Sequence, residues 1–321
     1  KCKSRYRADH LIEDAVPGLK VEGLSPAGLT KLIKENAIVC EKCGSKNFTE
    51  ARVFNLLFRT SIGSLQEEAS TVYLRGELAQ AMFVNFKTIQ ESMRKKLPFG
   101  IAQIGKAFRN EITPGNFIFR TLEFDLMEFE YFIHADAWKD QFEYWLGEMQ
   151  RWVDHLGLHR ERTRVREHTQ DELSHYSNRT VDIEYHTPFG WKELYGLAYR
   201  TNFDLRNHME KSGQDLRYLD PVTNEKFIPH VIEPTFGLSR SVLMVLLDAY
   251  HEEQAPTAEG ESETRVVMKF AAPLAPYQVA ILPLSAKLND EAKKVWDLVS
   301  QKFTADFDVT ASIGKRYRRQ D

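Results

Sequence analysis

The chain has 321 residues and 37.2 kDa, with 42% hydrophobic and 28% charged residues, an ordinary globular composition with material for about two domains. Lys and Arg number 43 against 46 Asp and Glu, a net charge of −3, so no global basic field marks a nucleic-acid binder. An RNA partner would need a local basic patch. No apolar run approaches the roughly 18 residues of a spanning helix, and no charged-then-apolar leader follows Lys1. Three cysteines cannot build a disulfide framework and predict a reducing, cytoplasmic setting.

In chain order, residues 1–48 are polar and cysteine-bearing, with turn signals at Pro17-Gly18 and Ser25-Pro26, and read as a small insertion. A strand is predicted over 71–75, a helix over 77–96 and a strand over 101–109. A loop at Ile112–Asn116 leads into one long strand from 117 to 132, and an amphipathic helix over 136–156 follows. Strand patterns recur at 180–186, 191–199 and 226–233, before an apolar helix from Leu238 to about Tyr250. The acidic, turn-rich stretch 251–263 reads as a linker or surface loop. A buried strand at 277–284 and a helix at 289–301 begin a β-α unit. Few helices separate the strands of 51–250, which predicts an α+β fold around a mainly antiparallel sheet. The division is 1–48 as insertion, 49–263 as the main domain and 264–321 as the start of a smaller α/β domain. The missing initiator Met and the abrupt basic end at Asp321 read as a fragment, or as disordered flanks lost at both ends.

In FIFRTLEFDLMEFEYF, a single strand would place Arg120, Leu122, Phe124, Leu126 and Glu128 on one face. A cation, an aromatic plate and a carboxylate in line suit an anion, a flat ring and an ammonium. A solvated strand face carrying two charges is the plainer alternative. The preceding strand ends GKAFRNE, and the run FRNEITPGNFIFR resembles motif 2 of class II aminoacyl-tRNA synthetases, closely the glycyl type. EPTFGLSRSVLMVLL (233–247) resembles motif 3. KELYGLAYRTNFDL (192–205) and YLRGELAQAMFVNF (73–86) match two further glycyl-type blocks, and GKRYRRQD resembles a block early in the family's anticodon-binding domain. Motif 1, which builds the family's dimer interface, would lie upstream.

The resemblance implies an ATP-dependent, AMP-forming ligase that makes an aminoacyl-adenylate with Mg²⁺ and passes the amino acid to an acceptor, working as a homodimer. Arg109 would clamp the α-phosphate bidentately, which guanidinium does and lysine does not. Arg240 would meet the other end of ATP at a positive helix terminus. Phe124 would stack on adenine with Glu111 near its amino group, Arg120 would lie between ring and phosphates, and Glu193 would help hold Mg²⁺. ATP contacts are further expected from Asn110, Phe119, Thr121, Leu122, Glu123, Leu194, Gly237, Leu238 and Ser239. Glu77 and Glu128 would bind the α-ammonium of the amino acid. Phe124, Asp125, Leu126, Met127, Tyr195, Glu233, Pro234, Thr235, Phe236 and Gly237 complete that side. No nucleophilic side chain is needed, because positioning and electrostatics carry the reaction.

Several positions depart from the family. RPETAQG is here Arg75-Gly76-Glu77-Leu78-Ala79-Gln80-Ala81, REFEQME is Leu122-Glu123-Phe124-Asp125-Leu126-Met127-Glu128, and ELEG is Glu193-Leu194-Tyr195-Gly196. Phe236 stands where many members have a small residue. Tyr195 would share the strand face of Glu193, and Leu78, Leu122 and Leu126 each replace a polar group. Joint loss of polarity predicts a paralogue that uses an apolar amino acid larger than glycine, with a small-molecule acceptor as one option beside tRNA. The alternatives are an ordinary glycine--tRNA ligase, in which Phe236 fills the space, and a silent subunit that binds nucleic acid.

Cys40-Glu-Lys-Cys43-Gly44 is a C-x₂-C-G knuckle, and Cys2 lies upstream. Two thiol pairs at this separation make a structural zinc site, as the glycyl family often has. Zinc takes four ligands, so His10 or a residue outside the chain would complete Cys2, Cys40 and Cys43. Three unmetallated thiols are the other reading.

Overall fold

The computed structural model describes residues 2–19, 21, 23–63, 70–256 and 261–320. The chain divides into two compact units, residues 1–81 with 103–127 and residues 82–102 with 128–321.

In the first unit, α1 (Ala8–Ala15) and α2 (Pro26–Glu35) pack Leu11, Ile12, Val21, Ile33 and Ile38 into a small apolar core of their own. Ser25-Pro26 is not a turn but a helix start. The Ser25 hydroxyl accepts from the Gly28 N–H at 3.2 Å, and Pro26 sits at N1, where its missing donor costs nothing. Strands β1 (Arg59–Ile62) and β2 (Ser70–Tyr73) pair antiparallel. Helix α3 (Ala79–Ser92), β3 (Phe99–Phe108) and β4 (Glu123–Ile133) each begin in one unit and end in the other.

The long strand expected over 117–132 therefore starts later, at Glu123. Asn116 and Phe117 both adopt positive φ (56° and 55°), and Gly115 and Arg120 exchange backbone hydrogen bonds of 3.0 and 3.2 Å. That loop closes on itself before extended pairing resumes, so the shared face inferred for Arg120, Leu122 and Phe124 does not exist.

The second unit adds α4 (Trp138–His155), β5 (Thr163–Glu167), β6 (Arg179–Thr187), β7 (Gly190–Thr201), α5 (Phe203–Ser212), the two-residue strands β8 (Tyr218–Leu219) and β9 (Lys226–Phe227), β10 (His230–Gly237) and α6 (Leu238–Ala249). The main sheet runs β3-β4-β10-β7-β6-β5, and β10·β7, β7·β6 and β6·β5 are all antiparallel. The strand expected over 226–233 is broken, and its second part runs on to Gly237. Odd residues of β4 meet α4, with Phe129 and Tyr131 at 5.6 and 5.4 Å from the Trp145 ring. On the even side Phe132 packs on Phe86 at 4.4 Å.

Residues 251–263 are not a linker. Strands β11 (Tyr250–Pro256) and β12 (Ser262–Met268) pair antiparallel, and residues 257–260 of that stretch lie outside the described ones. Cross-strand charge explains the misreading: Glu253 binds Arg265 at 2.7 Å and Lys269 at 3.2 Å, so acidic residues here are paired. Beyond it, β13 (Val279–Ile281), α7 (Asn289–Val299) and β14 (Ala305–Phe307) form a parallel β-α-β unit, followed by α8 (Ile313–Gln320).

Candidate active site

Arg109 follows the last residue of β3. Its Nε–H donates to the Gly76 carbonyl at 3.0 Å, and its guanidinium lies 5.5 Å from the centre of the Phe124 ring, a cation–π distance. The orientation of this guanidinium is thus fixed from its inner nitrogen and from one face. Asn110 is anchored to the 55–56 segment, its backbone N–H on Leu56 O at 2.7 Å and its side chain on Asn55 O at 3.2 Å. Glu111 and Arg120 line one cavity of about 510 Å³ with Arg7, His10, Phe54 and Thr113. Neither Arg109 nor Phe124 lines it.

Thr121 donates to the Glu123 carbonyl at 2.7 Å, and Phe119 is buried. Glu123 and Asp125 alternate with Phe124 and Leu126 along β4 and take Lys106, at 2.6 and 3.8 Å. Met127 continues their side of the strand by the same alternation. Glu77 accepts from Gln80 Nε2 at 2.9 Å. The three leucines of the departure argument are not one lining. Leu78 is wholly buried, Leu126 is buried, and Leu122 is 40% exposed ahead of the strand.

In the second unit a β-bulge decides which way KELYG points. Ile183 pairs with Tyr195 and Glu184 with Glu193, so Leu194 is an extra residue in β7. Glu193 therefore shares a face with Gly196 and Asp182, not with Tyr195. A Cβ on Gly196 would stand 3.8 Å from Glu193 Oε1 and 3.9 Å from Asp182 Oδ1. Tyr195 turns to the helix side, where Trp152 Nε1 of α4 donates to its hydroxyl at 3.2 Å. Its ring packs on Phe236 at 4.8 Å, and Phe236 packs on Phe129 at 5.9 Å. The expectation that Tyr195 lies beside Glu193 fails because a period of two was carried through a bulge.

Arg240 sits in the first turn of α6, after Gly237, Leu238 and Ser239. Its Nη1 donates to the Glu193 carbonyl at 2.9 Å and approaches Glu193 Oε2 at 3.1 Å. Arg240 and the helix N-terminus thus present positive charge together. Glu193 Oε1 faces the Asp182 side. Burial first, then Glu193, raise the carboxyl of Asp182 above the usual range, while His168 at 2.8 Å opposes this. A carboxylate oriented by an arginine, with a second carboxylate near, fits the oxygen-ligand chemistry of Mg²⁺.

A second bulge, between Val231 and Ile232, leaves Arg200 without a cross-strand partner. Its side chain is buried against Asp204, with two contacts of 2.8 Å, and against both oxygens of Glu233 at 2.9 Å. Thr235 opposes Gly196 and Glu233 opposes Ala198, whereas Pro234 opposes Leu197 on the side of Phe236. Glu128 is buried on the even side of β4. Arg200, Asp204 and Asp182 were missed by motif reading. The available signal was a charged residue closing the apolar run GLAYR.

The sulfurs of Cys2, Cys40 and Cys43 lie within 4.8 Å of one another, with Cys2 and Cys40 at 3.6 Å. Zn–S bonds of about 2.3 Å in a tetrahedron need sulfurs about 3.8 Å apart, so this donor set fits zinc. Hydrogen bonding to Ser4, with lesser help from the other thiols, draws the Cys2 thiol down to about 6, and the Tyr6 hydroxyl at 3.2 Å lowers Cys40. His10 is not within the cluster.

Residues 58–250 match the tRNA synthetase class II core domain (G, H, P, S and T). With the antiparallel sheet, this defines a class II aminoacyl-tRNA synthetase core, an ATP-dependent ligase. The whole chain is 52% identical to the glycine--tRNA ligases of Caldanaerobacter subterraneus and Geobacillus thermodenitrificans, covering 69% of each, and 51% identical to that of Mesoplasma florum, covering 70%. The chain belongs to the glycyl-tRNA synthetase family.

Proposed function

We propose that this protein activates glycine with ATP and transfers it to tRNA. The observation that carries the choice of amino acid is the bulge at Leu194, which turns Tyr195 to the helix side, where its ring packs on Phe236. They fill space there instead of lining a pocket beside Glu193, so the case for a larger apolar substrate loses its main support. No observation favours a small-molecule acceptor, and the relatives bear the name glycine--tRNA ligase.

In this reading Arg109 holds the α-phosphate through the attack of the glycine carboxylate, and Phe124 stacks on adenine. Arg240 meets the far end of ATP. Glu128 and Glu233 take the ammonium, with Glu77 as a further carboxylate for it. Mg²⁺, with Glu193 as ligand, would neutralise triphosphate charge when bound. Cys2, Cys40 and Cys43 hold a structural zinc with one further ligand. Residues 1–48, 49–263 and 264–321 act as zinc insertion, catalytic domain and start of an anticodon-binding module, in a cytoplasmic homodimer. Among the described residues no helix is long and apolar enough to cross a membrane.

The test is ATP–pyrophosphate exchange with glycine and isoleucine in competition, followed by AMP release with and without tRNA. A clear preference for glycine and tRNA-dependent AMP release are expected. Exchange driven by isoleucine would restore the paralogue reading.

A further inference from the structure

Glu130 follows Glu128 on the even side of β4. It is fully buried, and neither of its carboxylate oxygens has a hydrogen-bond partner among the described residues. Phe132, next on that side, packs on Phe86 and stands edge-on to Phe83, whose ring lies 6.2 Å from that of His208. The charged groups that act most on Glu130 are Glu128 from its own strand, Glu233 from β10, Arg200 from β7 and Asp204 from α5.

Arg200 is already committed, gripping Asp204 through Nε and Nη2 and Glu233 through Nη1, with the Tyr176 ring over it at 4.0 Å. It makes no hydrogen bond to Glu130, whose carboxylate, if ionised in this dry space, would be uncompensated. Glu130 must either keep its proton or gain a cation. The cation that amino-acid activation brings to Glu128 and Glu233 is the substrate's α-ammonium.

We propose that Glu130 exchanges its proton for that ammonium group. In the free protein it is a neutral carboxyl. When the ammonium is held at Glu128 and Glu233, the Glu130 O–H bond breaks, its electron pair stays on the carboxylate and the proton leaves to solvent. One positive charge enters as one departs, so the site keeps its net charge. A substrate without an ammonium cannot discharge the proton, which makes Glu130 a determinant of α-amino over α-hydroxy acids. In agreement, burial first and Glu233 next push its carboxyl well above the usual carboxylate range, against the pull of Arg200.

The proposal rests on the adenylation reading above, and one experiment separates the two. The chain is titrated calorimetrically with the sulfamoyl analogue of glycyl adenylate at about pH 6, where the analogue's amine is already charged, in two buffers of different ionisation heat. Wild type should release about one proton per chain. Glu130→Gln should release none, nor should wild type with the glycolyl analogue. Difference infrared spectra of the wild type should show loss of a protonated-carboxyl band on binding, a readout that needs no variant. Tight binding without proton release, or equal release from Glu130→Gln, overturns the role of Glu130 and leaves adenylation standing. Failure of the analogue to bind wild type overturns adenylation and this proposal together.

Discussion

The Tyr195 and Ser241 hydroxyls stand 2.7 Å apart, and Ser241 donates in turn to the Gly237 carbonyl at 2.9 Å. With Trp152 Nε1 donating to Tyr195, a chain of three hydrogen bonds joins α4, β7 and the start of α6. Tyr195 thus ties down the turn that presents Arg240, a structural duty on the side of the sheet away from Glu193. Removing the hydroxyl leaves buried groups unpaired, at a cost of about 1–3 kcal/mol. Tyr195→Phe is expected to lower stability by that amount in denaturant unfolding. Its preference for glycine over isoleucine in ATP–pyrophosphate exchange should match the wild type, whereas a shift toward isoleucine would return Tyr195 to the pocket.

The helix of 238–249, the β-α unit near the chain's end and the antiparallel sheet were legible because their apolar periods are unbroken. What the period hid were the interruptions. Bulges at Leu194 and Arg200 reverse an alternation without any composition signal, the loop read over 112–116 closes only at Arg120, and each lies next to a residue of the site. Leu78, Leu122 and Leu126 could be counted as lost polar groups from sequence. Their different burial depends on partners far along the chain, which no local pattern states.

Arg109 combines one hydrogen bond from Nε with a face held over Phe124. Lysine keeps the charge but has neither the planar fork nor the stacking face. Arg109→Lys should therefore behave nearly as Arg109→Ala, with glycine-dependent exchange reduced about 10²–10³-fold and an unchanged circular dichroism spectrum. Exchange at the wild-type rate in Arg109→Lys would show that the residue supplies charge alone.

The thiols of Cys2, Cys40 and Cys43 already converge, so a metal there would tie the knuckle to the start of the chain. Elemental analysis of protein purified without chelator should find about one zinc per chain. Cys43→Ser should lose the metal and expose 1–48 to proteolysis, since zinc binding contributes directly to folding. A metal content near zero in the wild type would leave three free thiols.

Glu130 also predicts a pH dependence of stability that needs no ligand. Its folded carboxyl titrates well above its unfolded one, chiefly through burial. The native state then binds a proton that the unfolded chain has lost, so the contribution is fully present below the unfolded value and is lost as pH rises through the folded one. Glu130→Gln keeps the shape of the neutral carboxyl and cannot ionise. Wild type and variant should have similar stability at acidic pH, below the ordinary glutamate range, and the variant should become increasingly the more stable as pH is raised. Urea unfolding of both proteins across this range measures the difference directly. Parallel curves would mean that Glu130 titrates in the native protein as it does in the unfolded chain, and would remove the reason for its neutrality.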